Sequence, residues 1–284
     1  MLDMIDSSIY IIDVIRCGQR LRHALYSRIN MAYTNSYKAP DVPALLPGYY
    51  GPDLYDINWI MPIHEATLES ERIKLTPFIP SLHAKKYAEQ IAAHPELHRY
   101  FPFNPSTLDE ILTTIELKVR QQPTWTMFAI IDKARGGGTF VGMIGLIRAS
   151  PADLSAEIAW TIVFPEFQRT YVTSNAVGIL LQYCLELPSN PQRPGLGLRR
   201  VQWTAHTDNR PSHAVAKRMG FREEGVLRWM YVIPEGMEGN GIALRDGDPK
   251  SPKPGRDSLV SSMCADDWES GAREHVQRVI DRSQ

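Results

Sequence analysis

Two periodicities alternate along the chain. From Glu71 onward, runs in which every second residue is apolar are separated by runs in which apolar residues return every three or four positions, the marks of half-buried strands and of helices with one buried face. Arg72-Ile73-Lys74-Leu75-Thr76 reads as the first strand, and a helix is expected from 81 to about 93. Thr107-Leu108-Asp109-Glu110 has the spacing of a capping box, after which Leu108, Ile111, Leu112, Ile115 and Val119 repeat on one helical face. Residues 124–131 and 139–147 alternate like strands around a segment that ends in Gly136-Gly137-Gly138. They are predicted to pair as an antiparallel hairpin, and without G-x-x-x-x-G-K-[ST] the glycines are a turn rather than a phosphate loop.

In the second half, strands are expected at 156–163 and 198–206. Between them Ala176, Val177, Leu180, Leu181 and Cys184 share a helical face, giving a strand–helix–strand crossover. A short helix over 211–219 ends at Gly220, placed to take the left-handed conformation beyond a helix end, and Phe221 opens a strand that runs to Val232. Residues 234–255 are rich in Gly, Pro and Asp without periodicity and read as a loop inserted between the last two strands. A final strand at 257–263 and a closing helix over about 265–280, burying Trp268, Val276, Val279 and Ile280, complete the pattern. Residues 1–70 differ: an amphipathic stretch at 9–29 is followed by a Pro/Gly/Tyr-rich segment at 39–52 whose proline density excludes a helix. The expected organisation is an amino-terminal arm over 1–70, extended or partly disordered, and one domain over 71–284.

Charge and cysteine content narrow the classes. Thirty-one Lys and Arg against 32 Asp and Glu leave a net charge of −1, so neither nucleic acid nor an anionic membrane surface is an expected partner. No apolar run approaches the roughly 18 residues that span a bilayer, and the Ile9–Ile12 patch follows Asp3 and Asp6 rather than a basic region, unlike a secretory signal. Cys17, Cys184 and Cys264 lie far apart with no C-x-x-C spacing, so no disulfide framework and no metal site is expected. A cytoplasmic, reducing location follows.

The candidate chemistry centres on the crossover. The first amides of a helix have no partners within it, so a strand–loop–helix passage is a ready anion site. Here the loop is Gln168-Arg169-Thr170-Tyr171-Val172-Thr173, with Thr173 placed to cap the helix, Arg169 supplying positive charge and Thr170 a hydroxyl donor. On the preceding strand Ala156, Ile158, Trp160 and Ile162 form an apolar face, leaving Glu157, Ala159 and Thr161 on the other. If that second face lines a cleft, Glu157 is the candidate general base, acting through water. The lone His206 is given no role.

Taken in order, Glu157-Ile158-Ala159-Trp160, Phe164-Pro165-Glu166-Phe167-Gln168-Arg169, Thr207-Asp208-Asn209-Arg210-Pro211-Ser212 and Lys217-Arg218-Met219-Gly220-Phe221 resemble the GNAT N-acetyltransferase superfamily, in the branch similar to ribosomal-protein-alanine N-acetyltransferases. Arg256-Asp257-Ser258 and Asp267-Trp268 extend the resemblance, which covers about 71–282. It implies an α/β (α+β) fold: a twisted mixed, mostly antiparallel sheet with helices on both faces and a central splay that admits acetyl-CoA. It also implies that Gln168, Arg169, Thr170, Tyr171, Val172 and Thr173 hold the pyrophosphate, and that the backbone of Ile162 and Val163 meets the pantetheine amides and polarises the thioester. Asn209 would hold the pantetheine arm and Ser212 would sit near the sulfur. The family loop carries small residues where this chain has Tyr171 and Thr173, so hydroxyls and Arg169 are expected to replace part of the amide cradle. The tyrosine that many members use as an acid falls at Ala216. The function implied is transfer of an acetyl group from acetyl-CoA to a primary amine of a small molecule, a metabolite intermediate or a protein amino terminus, by a monomer or homodimer. The alternative is a catalytically degenerate acyl-CoA-binding or interaction module.

Overall fold

The computed structural model describes residues 34–38, 44–134 and 137–282. The chain divides into two units, Met1–Ala44 and Leu45–Gln284. Of the first, only 34–38 and Ala44 are described; they are exposed and carry no regular structure, and the amphipathic stretch expected at 9–29 lies outside the described residues.

The second unit is built on one seven-stranded sheet. In chain order its elements are β1 (Ile73–Pro77), α1 (Pro80–Ala93), α2 (Leu108–Thr114, continued by a wider turn over Ile115–Arg120), β2 (Thr126–Asp132), β3 (Thr139–Ser150) and β4 (Ser155–Val163). There follow α3 (Tyr171–Leu185), β5 (Arg200–His206), α4 (Arg210–Met219), β6 (Arg222–Val232), β7 (Gly255–Cys264) and α5 (Arg273–Asp281). The strands lie in the order β1-β2-β3-β4-β5-β7-β6. Only the β4–β5 pair is parallel, as a helical crossover demands. The expected hairpin forms, Phe128 facing Ile144 across it. The expected capping box also forms: Thr107 Oγ1 accepts from the Glu110 amide at 3.3 Å, and Glu110 accepts from the Thr107 amide at 3.1 Å. Gly220 ends α4 at φ +92°.

Residues 45–70 lie on this unit largely without regular structure. Leu46 and Gly48 donate to Thr113 and Asp109 of α2, and Leu68 is fully buried. The loop expected between the last two strands joins β6 to β7 as read. The closing helix is broken: Ser270 and Gly271, the latter at φ +112°, leave helical conformation, so α5 starts only at Arg273. Trp268, Val276, Val279 and Ile280 are buried all the same.

α3 is apolar nearly all round and buried from Ser174 to Leu185, the pattern of a helix enclosed by other elements. A Cβ on its Gly178 would stand 2.6 Å from the Ile280 side chain of α5, so the glycine lets the two helices pack closely. The two faces of the sheet can be told apart at β5. Trp203 donates to Ser212 of α4 at 2.9 Å, while its neighbour Gln202 donates to Glu157 at 3.2 Å. Because successive strand residues face opposite ways, α4 covers one face and Glu157 lies on the other. On the Glu157 face, α1 and α2 contribute Tyr87, Ile111 and Ile115 to a small aromatic cavity with Met143 and Trp160.

Candidate active site

β4 and β5 pair only from Ser155/Arg200 to Ile158/Trp203, although β4 runs on to Val163 and β5 to His206. Beyond Ile158 the two strands part, leaving backbone groups of β4 with no neighbouring strand. A bulge marks the parting. Between the pairs Met143/Ile162 and Gly145/Ala159, one residue of β3, Ile144, opposes two of β4, Trp160 and Thr161, and Trp160 stands at φ +53°. This corrects the even-residue face read from the sequence: Trp160 is turned out of the Ala156–Ile158 row and lines the aromatic cavity with Met143. Its ring packs on Phe103 at 4.6 Å and Trp125 at 6.0 Å. His98, in the same cavity and bonded to Tyr87 at 2.8 Å, is pushed down to about 4 by burial and is therefore a neutral ring at pH 7.

Past the bulge the backbone alternates regularly. The Phe164 amide donates to Val141 of β3, and the Ile162 carbonyl is turned to Gly142 of β3, where a Cβ would stand 2.1 Å from it. The polar groups of the intervening Val163 therefore point to the open side. Of the two expected backbone contributors, Val163 faces the splay and Ile162 faces the sheet.

The loop at the mouth of the splay differs in detail from expectation. Gln168 donates its side-chain amide to the Val163 carbonyl at 2.9 Å, tying the loop to the splayed strand. Arg169 is exposed and takes φ +61°, so the left-handed turn falls on arginine. Thr170, not Thr173, is the N-cap: its Oγ1 accepts from the Val172 amide at 3.3 Å and donates to the Phe167 carbonyl at 2.6 Å. Its hydroxyl proton is thus committed within the loop. The turn at Arg169 starts the helix three residues earlier than a Thr173 cap requires, so Tyr171, Val172 and Thr173 form its first turn. Tyr171 needs no glycine-like backbone because it is already helical; its hydroxyl donates to both carboxylate oxygens of the buried Asp132 at 2.9 Å, with Arg72 over its ring.

Glu157 is 4% exposed, not solvated. Arg148 Nη1 donates to its Oε2 at 2.5 Å and Gln202 Nε2 at 3.2 Å. Burial raises its carboxyl above the usual range, while the Arg148 charge acts in the opposite sense. Arg148 sits at φ +52° in a second bulge, where β3 gains a residue on β4 between Ile147 and Ser150. Its other nitrogen donates to the Tyr231 hydroxyl at 2.5 Å, and the Arg256 guanidinium lies over that tyrosine's ring at 5.3 Å.

Asn209 and Ser212 take the positions expected of capping residues. Asn209 Oδ1 accepts from the Ser212 amide at 3.2 Å, and Ser212 Oγ accepts from the Trp203 indole at 2.9 Å, which leaves the Ser212 proton free to be donated. Ala216 is buried in α4, with no hydroxyl at that place. Sequence reasoning misses the Arg148–Tyr231–Arg256 chain. Its only mark in the sequence is Arg256-Asp257-Ser258, which falls at the edge of a segment that looks like a loop.

A sheet parted beside a parallel pair, with a helix N-terminus over the parting, defines the class: a GNAT-type fold. The model of the Acetyltransferase (GNAT) domain matches residues 72–222, just over half of the sequence, and the chain belongs to this family. It is 32% identical over 133 residues to "Putative ribosomal N-acetyltransferase YdaF" of Bacillus subtilis (strain 168), an alignment that covers 45% of this chain and 65% of YdaF, just under two thirds of that relative's own length. The fold is shared with a probable GNAT-family acetyltransferase from Chromobacterium violaceum ATCC 12472, with TM-score 0.59 and 24% identity over 83% of this chain and all of that one. It is shared too with spermidine N-acetyltransferase from Vibrio cholerae in complex with CoA and spermine, with TM-score 0.52 and 15% identity over 70% and 99% of the two chains.

Proposed function

We propose that this protein transfers an acetyl group from acetyl-CoA to a primary amine. The observation that carries the reading is the parting of β4 from β5 at Ile158/Trp203: the buried Glu157 lies one residue before it, and the unpaired end of β4 leads into the loop that opens α3. Residues that fit a CoA thioester are on hand. The start of α3 at Tyr171–Thr173 and the exposed Arg169 suit the pyrophosphate, and the Val163 backbone suits the pantetheine amides. The hydroxyl of Asn209's neighbour Ser212 suits the sulfur. Other members of the fold take the same ligand, as the CoA complex of the spermidine enzyme does.

The chemistry asks little more. A neutral amine attacks the thioester carbonyl, a C–N bond forms, the C–S bond breaks and the thiolate departs. Glu157, through a water, receives the proton that the amine gives up. Trp203 donates to Ser212 and so directs the serine proton outward, where it can stabilise the thiolate in place of the missing tyrosine. The acceptor classes are a small-molecule amine, a metabolite intermediate or a protein amino terminus, with the protein working in a reducing, cytoplasmic setting as a monomer or homodimer.

Ala216 and the committed Thr170 hydroxyl favour a second reading, an acyl-CoA-binding module without turnover. One assay separates them: the protein is incubated with acetyl-CoA and a panel of amines, and free thiol and acetylated product are followed. Acetylated product supports the transferase. Stabilisation by CoA with no product on any amine supports the binding module, and no stabilisation at 100 times a plausible dissociation constant, where about 2.7 kcal/mol is expected, counts against both.

A further inference from the structure

Beside Glu157 lies a set of donors that the proposed chemistry does not use. Arg256 is 5% exposed, its Nε has no hydrogen-bond partner, and among the described residues no carboxylate lies within ion-pairing distance of it. Glu157 is near enough to act on its charge but is already held by Arg148. Around Glu157, one buried carboxylate is therefore set against two guanidiniums, that of Arg148 partly exposed and that of Arg256 buried, with an excess of positive charge. Burying a cation without a carboxylate is costly, and the Tyr231 ring at 5.3 Å offsets only part of that cost, so Arg256 points to a missing anion.

Two further unsatisfied groups flank it. Ser258 stands two residues along β7, on the same face, with Oγ fully buried and unpartnered. His206 is the register partner of Ser258, so its side chain shares that face. His206 Nδ1 accepts from the Asp208 amide at 3.0 Å, which puts the hydrogen of the neutral ring on Nε2, and Nε2 makes no hydrogen bond of good geometry, although the Glu238 backbone is near enough to act on the ring. The ring stays neutral because burial, and then the Arg256 charge, both disfavour its protonation. The segments that cover this cluster are held by weak contacts. Tyr100 packs on His206 at 5.4 Å, and Arg99 beside it is tied to Glu238 of the 234–254 loop at 2.7 Å by a pair with both side chains about half exposed, a type of contact worth little in water.

Resting on the transferase reading above, we infer that Arg256, Ser258 and His206 form a receptor for a carboxylate carried by the acceptor. The acceptor is then an amine with its own carboxylate, such as an amino acid, and not a bare polyamine: a polycation would meet the two guanidiniums without compensation. The carboxylate neutralises the excess charge, accepts from Arg256 Nε, Ser258 Oγ and His206 Nε2, and brings the amine towards Glu157.

The test uses the full-length protein, acetyl-CoA and matched amines, each amino acid beside the amine left by its decarboxylation, with spermine and O-phosphoethanolamine as further probes. The carboxylated member of a pair is expected to be favoured by about tenfold to hundredfold in kcat/KM, the worth of a charge-assisted hydrogen bond. Arg256→Gln should raise its KM by a similar factor and leave the KM of the decarboxylated partner and the affinity for CoA unmoved, with Arg256→Lys restoring part of the loss. Equal use of both members, or an unmoved KM in Arg256→Gln, overturns the proposal. Preference for O-phosphoethanolamine over every amino acid assigns the site to phosphate and overturns the carboxylate. Should no amine turn over, calorimetry of N-acetylated amino acids against the CoA complex decides: binding that Arg256→Gln or Ser258→Ala abolishes supports the receptor, and no binding overturns it. Loss of CoA binding with Arg256-dependent carboxylate binding intact would sink the transferase reading and leave the receptor standing. Removing an uncompensated buried cation should also leave the melting temperature of Arg256→Gln unchanged or raised. A fall would make Arg256 a structural counter-ion of Glu157 and count against the proposal.

Discussion

Replacing Glu157 by Gln keeps the side-chain shape and removes the proton acceptor. An alkyl amine with a pKa of about 10.4 is neutral in roughly one molecule in 2,500 at pH 7. A positioned base contributes about 10²- to 10⁴-fold, so kcat/KM of Glu157→Gln should fall by that factor at pH 7. The loss should then shrink by about tenfold per pH unit, as bulk solvent deprotonates the amine in place of the carboxylate. Initial rates from pH 6 to 9, with saturating acetyl-CoA, measure both effects. Stability carries a second sign. Burial raises the folded-state value of this carboxyl, so its contribution is present below the unfolded value, about 4.3, and is lost as pH rises through the folded one. The variant lacks that loss, and its stability relative to the parent should improve as pH rises through that window. A variant within about threefold of the parent at pH 7, with the same pH profile, would remove Glu157 as the base.

Arg169 adopts φ +61°, so Arg169→Gly should relieve left-handed strain and stabilise the fold by a few tenths to about 1 kcal/mol, after the entropy that glycine adds to the unfolded chain. The same change should weaken CoA about tenfold by removing one charge-assisted contact to phosphate. Urea unfolding and calorimetry read the two opposite effects, and a variant that is both less stable and unchanged in affinity contradicts the placement of Arg169. Gly142→Ala would put a Cβ 2.1 Å from the Ile162 carbonyl and should cost about 1–3 kcal/mol by forcing β3 from β4, read as a lowered midpoint in the same unfolding experiment.

The order of elements was legible because it rests on periodicity and capping, which are local. Thr107–Glu110 and Gly220 announce their roles through side chains that act within a few residues of themselves. What escaped depends on backbone turns that no residue type marks. The bulge at Trp160 carries a bulky side chain at positive φ, where glycine would have been the signal, and one extra residue was enough to move Trp160 to the other face. Thr170 and Thr173 are chemically alike caps three residues apart, and only the turn at Arg169 decides between them. Arg256 was hidden because the Gly/Pro/Asp-rich stretch before it reads as loop, whereas β7 begins at Gly255, whose missing Cβ makes room for the Trp229 ring. The Glu157–Arg148–Tyr231–Arg256 chain joins residues from four strands, a relation set by register alone.

In the proposed complex a CoA thioester occupies the gap between β4 and β5. Amide hydrogen exchange with and without CoA tests it most directly. Protection is predicted at 161–163 and at 171–173, with β1 and β2 unchanged. Unchanged exchange at both segments under saturating CoA, or protection confined to another part of the sheet, would contradict it.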